Sequence, residues 1–171
     1  MERRAPSQTK TLRLQTGAQP RILTVSDLKL VFDGPQPVVA LQDVSLALEA
    51  GEFLCIVGPS GCGKTSLLKV IAGLLKPLSG QVSFSGGSDR PLTPLVFQDH
   101  GLFPWRSVAD NVAFGLEMAG VDRKRRRLEA VDIIERVGLD GFADSLPHQL
   151  SVGMRQRVAI ARALLCDPEV F

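Results

Sequence analysis

Long apolar runs, paired cysteines and any large excess of charge are missing from this chain, and each absence narrows what it can be. No stretch of the 171 residues approaches the 18 or more consecutive apolar side chains of a membrane-spanning helix. The longest clean runs, such as residues 53–57, are only strand-sized. The three cysteines, Cys55, Cys62 and Cys166, have no C-x-x-C spacing and no nearby histidine. That pattern is neither a metal site nor a disulfide framework, and it suits a reducing compartment. The formal charge is +2, too small to indicate a nucleic-acid partner by itself. No repeat or low-complexity block is present. The N-terminus has no apolar core, so it is not a secretory signal. Residues 1–21 mix Arg3, Arg4, Lys10, Arg13 and Arg21 with Ser, Thr, Gln and Pro. They read as a basic tail without fixed structure or, being poor in acids, as a transit peptide.

What remains is globular. The chain is long enough for one domain with a sizeable core, and it is 44% apolar and 22% charged. From Ile22 the pattern becomes regular. Val44, Leu46 and Leu48 alternate with Ser45 and Ala47, the period of a half-buried strand. Residues 53–57 show no alternation, which predicts a strand covered on both faces of a parallel sheet. Leu67, Leu68, Val70, Ile71, Leu74 and Leu75 predict a buried helix ending near Lys76-Pro77. Residues 82–85 and 94–98 read as short strands.

Beyond Gln98 the character turns helical. Ser107 is placed to cap a helix reaching about Met118. Asp122 opens another, with Leu128, Val131, Ile134 and Val137 on one side. Met154, Val158, Ala161 and Leu165 give a third helix one apolar face, with Arg155 and Arg162 off it. Asp167-Pro168 ends that helix, and residues 169–171 look like the start of a strand.

One segment carries chemistry outright. Gly58-Pro59-Ser60-Gly61-Cys62-Gly63-Lys64-Thr65 fits G-x-x-x-x-G-K-[ST], between a predicted strand and a predicted helix. The glycines let the backbone wrap a phosphate with its N–H groups pointing inward at a helix N-terminus. Lys64 supplies positive charge for the β- and γ-phosphates. Thr65 offers a hydroxyl to Mg²⁺, and Ser66 a second hydroxyl near the phosphates. Cys62 is either a reactive thiol in this loop or a small residue that the loop tolerates.

Two further stretches make the resemblance specific. Leu150-Ser-Val-Gly-Met-Arg-Gln-Arg157-Val-Ala-Ile-Ala-Arg-Ala163-Leu-Leu-Cys-Asp-Pro168 resembles the signature motif and helix of ABC ATPases. Gln98, in Leu95-Val-Phe-Gln98, resembles that family's Q-loop glutamine. The resemblance covers roughly residues 23–171. It implies an α/β fold: a P-loop NTPase core with an N-terminal antiparallel β-subdomain and an α-helical subdomain, the core sheet being incomplete. The expected divisions are a core at about 22–98, a helical subdomain at about 99–165 and the first residues of the Walker B strand at 169–171.

The resemblance also implies roles. Residues Gly58 to Ser66 would hold ATP, with Thr65 and Gln98 near Mg²⁺ and Lys64 and Gln98 in the catalytic set. Phe32 would stack on adenine, or else it is a core aromatic. Ser151, Val152, Gly153 and Met154 would face the ATP held by a second ATPase subunit. Residues 99–113, with Phe103, Pro104 and Trp105, resemble the region that receives an integral membrane permease; Trp105 is either an exposed anchor or buried. The wording of residues 97–105 and 153–157 is similar to the importer ATPases for nitrate, sulfonate and taurine. Those work with a solute-binding protein and sit at the cytoplasmic face of the cell membrane.

Departures from the pattern count as well. Val152 stands where the family has glycine, which either weakens contact with the partner's phosphate or is harmless. By the resemblance, the Walker B aspartate and glutamate and a switch histidine lie beyond Phe171, so the chain reads as a fragment. Neither His100 nor His148 is placed to substitute, and both read as solvent or loop residues. The run Arg123 to Arg127 is either an anionic-partner site or a solvated helix face, and it opposes the helix dipole. The functions in contention are an energy-coupling importer ATPase, a truncated non-catalytic module that holds nucleotide or permease, and a soluble repair or translation ATPase. The last usually carries long insertions, and none is seen.

Overall fold

The computed structural model describes residues 10–13, 20–85 and 93–171, and the chain forms two compact units that divide between residues 91 and 92, with Val170 belonging to the first. Most of the expected basic tail and the loop over residues 86–92 lie outside the described residues. Within that expected tail, Lys10–Arg13 form a strand, β1.

In the first unit, β2 (Arg21–Phe32) and β3 (Val38–Glu49) make a long antiparallel hairpin, and β5 (Ser79–Phe84) joins the other edge of β2. The order is β3-β2-β5. Alternation puts Leu23 and Val25 inward, then slips at Ser26-Asp27, so that Leu28 and Leu30 also face in. Asp27 takes the left-handed conformation there, with φ 48°. Its N–H donates to Ser45 Oγ at 2.8 Å, and that hydroxyl donates to Asp27 Oδ1 at 3.0 Å. The bulge thus keeps one apolar face along twelve residues. Leu67 and Val70 of α1 (Lys64–Ile71) and Leu41 and Leu48 of β3 complete this core.

Strand β4 (Leu54–Val57) corrects the expectation of a doubly covered parallel strand. It pairs antiparallel with β1, and Leu54 and Ile56 pack on the core while Cys55 and Val57 face out. Phe53 precedes the strand and is 71% exposed. An unbroken apolar run states that both faces want cover; only one face finds it among the described residues. Helix α1 likewise ends at Ile71 and buries one side, leaving Leu68 and Leu74 exposed.

The second unit is helical. Ser107 caps α2 (Val108–Val112), accepting the Asp110 N–H at 3.1 Å, and α3 (Phe114–Met118) follows after a break at Ala113. Asp122 caps α4 (Arg123–Arg136) and accepts the N–H groups of Lys124 and Arg125 at 2.9 and 3.3 Å. A 3₁₀ turn, Pro147–Gln149, leads to α5 (Val152–Leu164). Val108, Val112, Ile134, Leu139, Val158 and Ala161 pack together as its core.

Three expectations fail here. Helix α4 buries Ala130, Ile133 and Ile134, not Leu128, which is exposed. Residues 94–98 form no strand: Pro94 has no N–H to donate, and no described strand pairs with them. Residues 169–171 form none either, for the same want of a pairing neighbour, although Val170 packs against the first unit's core.

Candidate functional site

The phosphate loop lies between β4 and α1, as its pattern requires. Gly61 and Gly63 have φ of 80° and 96°, a region that side chains with a Cβ rarely occupy. Gly63 is doubly constrained, because a Cβ there would collide with the Ala40 carbonyl oxygen of β3 and press on Leu41. At Gly61 nothing lies within reach, so only the backbone angle demands glycine. A Cβ at Gly58 would sit 2.7 Å from Cys62 Sγ, so that thiol fills the inside of the loop.

Gly63 is the N-cap of α1, and no side chain caps the helix. Its first turn also contains no acidic residue. The first N–H groups of a helix have no intrahelical acceptor, so this end is electropositive and free of an internal anion. Lys64 Nζ donates to the carbonyls of Gly58 and Pro59, both at 2.8 Å, and lies 3.5 Å from Cys62 Sγ. The cation is therefore folded over the loop mouth and held by weak acceptors that a phosphate would outcompete. Thr65 is exposed and Ser66 half-buried beside it.

Phe32 ends β2 opposite Val38, at the end of the hairpin whose Ala40 packs on Gly63. Its ring is 43% exposed and outside the core cluster. These groups all belong to the first unit.

The second unit holds Gln98 and the signature segment. Gln98 is exposed at the start of a turn that runs to His100. Ser151 caps α5, its hydroxyl accepting the Met154 N–H at 3.3 Å. Val152 is the first helical residue and 63% exposed, so the chain itself accommodates the branched side chain. Gly153 has an ordinary helical backbone, and a Cβ there would meet nothing within 4 Å. Nothing among the described residues demands a glycine at that position. Met154 packs against the helical core.

Several contacts were not legible beforehand. Arg162 is half-buried, with its Nη1 and Nη2 donating to the carbonyls of Gly101 (2.7 Å) and His100 (3.0 Å); it is not a solvated arginine off the face. Burial pulls its guanidinium below the usual arginine range. Arg157 donates to the Val137 and Gly138 carbonyls at 3.1 and 2.9 Å, capping the C-terminal end of α4. His100 is less solvated than expected, its Nδ1 buried without a hydrogen-bond partner among the described residues. Trp105 is 74% exposed, which excludes the buried alternative. The Arg123 to Arg127 run is a solvated face tied down by ion pairs, Arg125 with Glu129 and Arg127 with Asp144, each at 2.7 Å. Those carboxylates hold both guanidiniums above the usual range. Asp122 at the N-cap offsets the unfavourable dipole.

No group of three or more metal-ligating side chains occurs among the described residues, and none of their helices is long and apolar enough to cross a membrane. Comparison with known proteins agrees with the geometry. Residues 41–171 match the family model described as ABC transporter. The chain is 47% identical to the taurine import ATP-binding protein TauB of Yersinia pestis, over 88% of this chain and 59% of that protein. It is 46% identical to the nitrate import ATP-binding protein NrtD of Synechocystis, over 87% and 58% respectively. An uncharacterized ABC transporter ATP-binding protein of Methanocaldococcus jannaschii is 47% identical, over 86% and 57%. The chain thus spans a little under three-fifths of the length of these relatives. A solved dimeric ATP-binding cassette in a post-hydrolysis state, bound to ADP and Pi, superposes with a TM-score of 0.74 at 30% identity, covering 86% of this chain and 71% of that one. With a P-loop NTPase core, an N-terminal antiparallel sheet, a helical subdomain and a family match over residues 41–171, the chain belongs to the ABC transporter family of ATP-binding proteins.

Proposed function

We propose that this chain is the nucleotide-binding part of an energy-coupling ATPase that works in pairs on a membrane permease and drives solute import. The observation that carries this reading is the phosphate loop: an uncapped helix start, two glycines at positive φ and Lys64 folded over the opening. Residues Gly58 to Ser66 would hold the ATP phosphates through loop N–H groups, Lys64 Nζ and the two hydroxyls. Thr65 and Gln98 would hold Mg²⁺, whose chemistry is to neutralise charge on the phosphates during transfer to water. Phe32, exposed at the end of its hairpin, would take the adenine face.

Ser151, Val152, Gly153 and Met154 would act on the ATP of a second subunit. A glycine at the start of α5 that nothing among the described residues requires supports this. The likeness to a dimeric cassette supports it too. The taurine and nitrate import proteins among the relatives support nitrate, a sulfonate or taurine as the solute, delivered by a solute-binding protein, and a place at the cytoplasmic face of the membrane. Trp105 would anchor the permease.

Complementation of the full-length protein tests the paired site. Lys64→Ala abolishes the loop of one copy, and Gly153→Asp the signature of one copy. Each variant alone is expected to be inactive. Mixing them forms one intact site per heterodimer and restores part of the ATP hydrolysis. A mixture as inactive as its parents would sink the proposal that the signature acts across a dimer.

A further inference from the structure

Asn111 has no part in the nucleotide site, yet it is the one fully buried polar residue among the described residues. It sits in α2, between the core side chains Val108 and Val112. Both ends of its amide are engaged: Oδ1 accepts the Phe103 N–H at 2.8 Å. The two N–H groups of Nδ2 are shared among the carbonyls of Phe103 (3.1 Å), Arg106 (3.1 Å) and Ser107 (3.0 Å). Three carbonyls around the nitrogen and one N–H at the oxygen fix the amide's orientation. All four contacts go to one short segment, residues 103–107.

Other groups grip the same segment. The Phe103 ring packs on Phe114 at 4.7 Å, and the Arg106 guanidinium lies over both rings, 5.4 and 5.2 Å from their centroids. Arg106 also pairs with Glu117 at 2.7 Å. Pro104 and Trp105 stay in solvent, Trp105 leaning on Phe103 at 5.8 Å with most of its surface exposed. A polar surface loop needs no buried amide to close it, because water can satisfy its carbonyls. Here a desolvated side chain and a π-stacked cation immobilise a loop whose protruding groups are Pro104 and the large apolar ring of Trp105. That is the arrangement of a preformed anchor, which loses little freedom on binding.

We infer that Asn111 is a positioning residue: it holds residues 103–107 in one conformation and so presents Trp105, ready-made, to an apolar cytoplasmic segment of the membrane partner. The identity of that partner rests on the importer reading above; the hold on the loop does not.

Trp105 is the single tryptophan of residues 1–171, so time-resolved fluorescence anisotropy of the full-length protein, with any tryptophan outside these residues replaced by phenylalanine, reports on this loop. In the wild type the decay should follow overall tumbling, with only a minor faster component. Asn111→Asp keeps the shape and the acceptor but turns a carboxylate toward three carbonyls. It should add a nanosecond component carrying roughly half of the amplitude. Ser107→Ala removes the hydroxyl cap of the same helix without touching the four contacts, and it should leave the decay unchanged. Equal decays for wild type and Asn111→Asp overturn the inference, as does an equal loosening by Ser107→Ala, which would mark a general weakening of α2. If Asn111→Asp does not fold, the wild type still decides, because large-amplitude nanosecond motion of Trp105 there is incompatible with a held loop. None of these readouts needs nucleotide or partner. A held Trp105 in a protein that binds no membrane subunit would sink the importer reading and leave the positioning role standing.

Discussion

Gly61 and Gly63 lie two positions apart in one loop but are glycine for different reasons, and substitution should separate them. Alanine at 61 meets open space and suffers only the positive φ, about 1–2 kcal/mol. Alanine at 63 adds a backbone collision with β3 and should cost more than about 3 kcal/mol, through displacement of the loop. Chemical denaturation of the two variants checks the ranking, and equal losses would mean that the loop and β3 are not in contact. Phe32→Ala addresses the base instead. Stacking acts on adenine and not on phosphate, and is worth roughly 1–3 kcal/mol per base in single-stranded nucleic-acid complexes. The variant should weaken ATP while inorganic triphosphate binds as before; equal losses would return Phe32 to a structural role.

At the scale of elements, α5 is more than an apolar stripe. Arg157 caps the last carbonyls of α4, and Arg162 clasps the turn after Gln98. Arg157→Met keeps the aliphatic stem but strands two carbonyls at the negative end of a helix. A loss of about 1 kcal/mol in denaturant unfolding is expected, and no change would show that water replaces the guanidinium without penalty. These contacts also mark where sequence stops being informative. Ser107 and Asp122 were legible as caps, because a short polar side chain before an apolar-periodic run has one favourable use. The phosphate loop was legible because its spacing is the geometry. Arg162 and Asn111 were not, since a periodicity argument assigns off-face polar residues to solvent. An asparagine amid Val108, Ala109 and Val112 was the only hint. The inward face of α4 was misplaced by about a fifth of a turn, because Leu128 outweighs Ala130 on any hydrophobicity scale while Ala130 is the residue that fits against the core. For β4, the apolar run recorded a demand for cover on two sides that the described residues meet on one.

For the whole molecule, that unmet demand has a physical consequence. Phe53, Val57, Leu68, Leu74 and Leu78 are all exposed in the first unit, a concentration of large apolar side chains that favours association. Residues 1–171 alone are expected to be poorly soluble, and the longer relatives have further chain with which to cover such a surface. The same residues should show no steady-state ATP hydrolysis, because the attacking water must be oriented by a suitably placed group and the first turn of α1 carries no acidic residue to do it. Monomeric protein turning over ATP in a Lys64-dependent manner would contradict both statements.

Equilibrium binding of MgATP to wild-type and Lys64→Ala protein, in the same buffer and at the same salt, bears most directly on the claim that this loop is a nucleotide site. Lys64 Nζ now donates to two loop carbonyls and would exchange them for phosphate oxygens, a charge-assisted contact worth about 1.5–3 kcal/mol. Affinity should therefore fall by about tenfold or more on losing that ammonium group. Equal affinities for the two proteins would mean that ATP binds elsewhere or not at all.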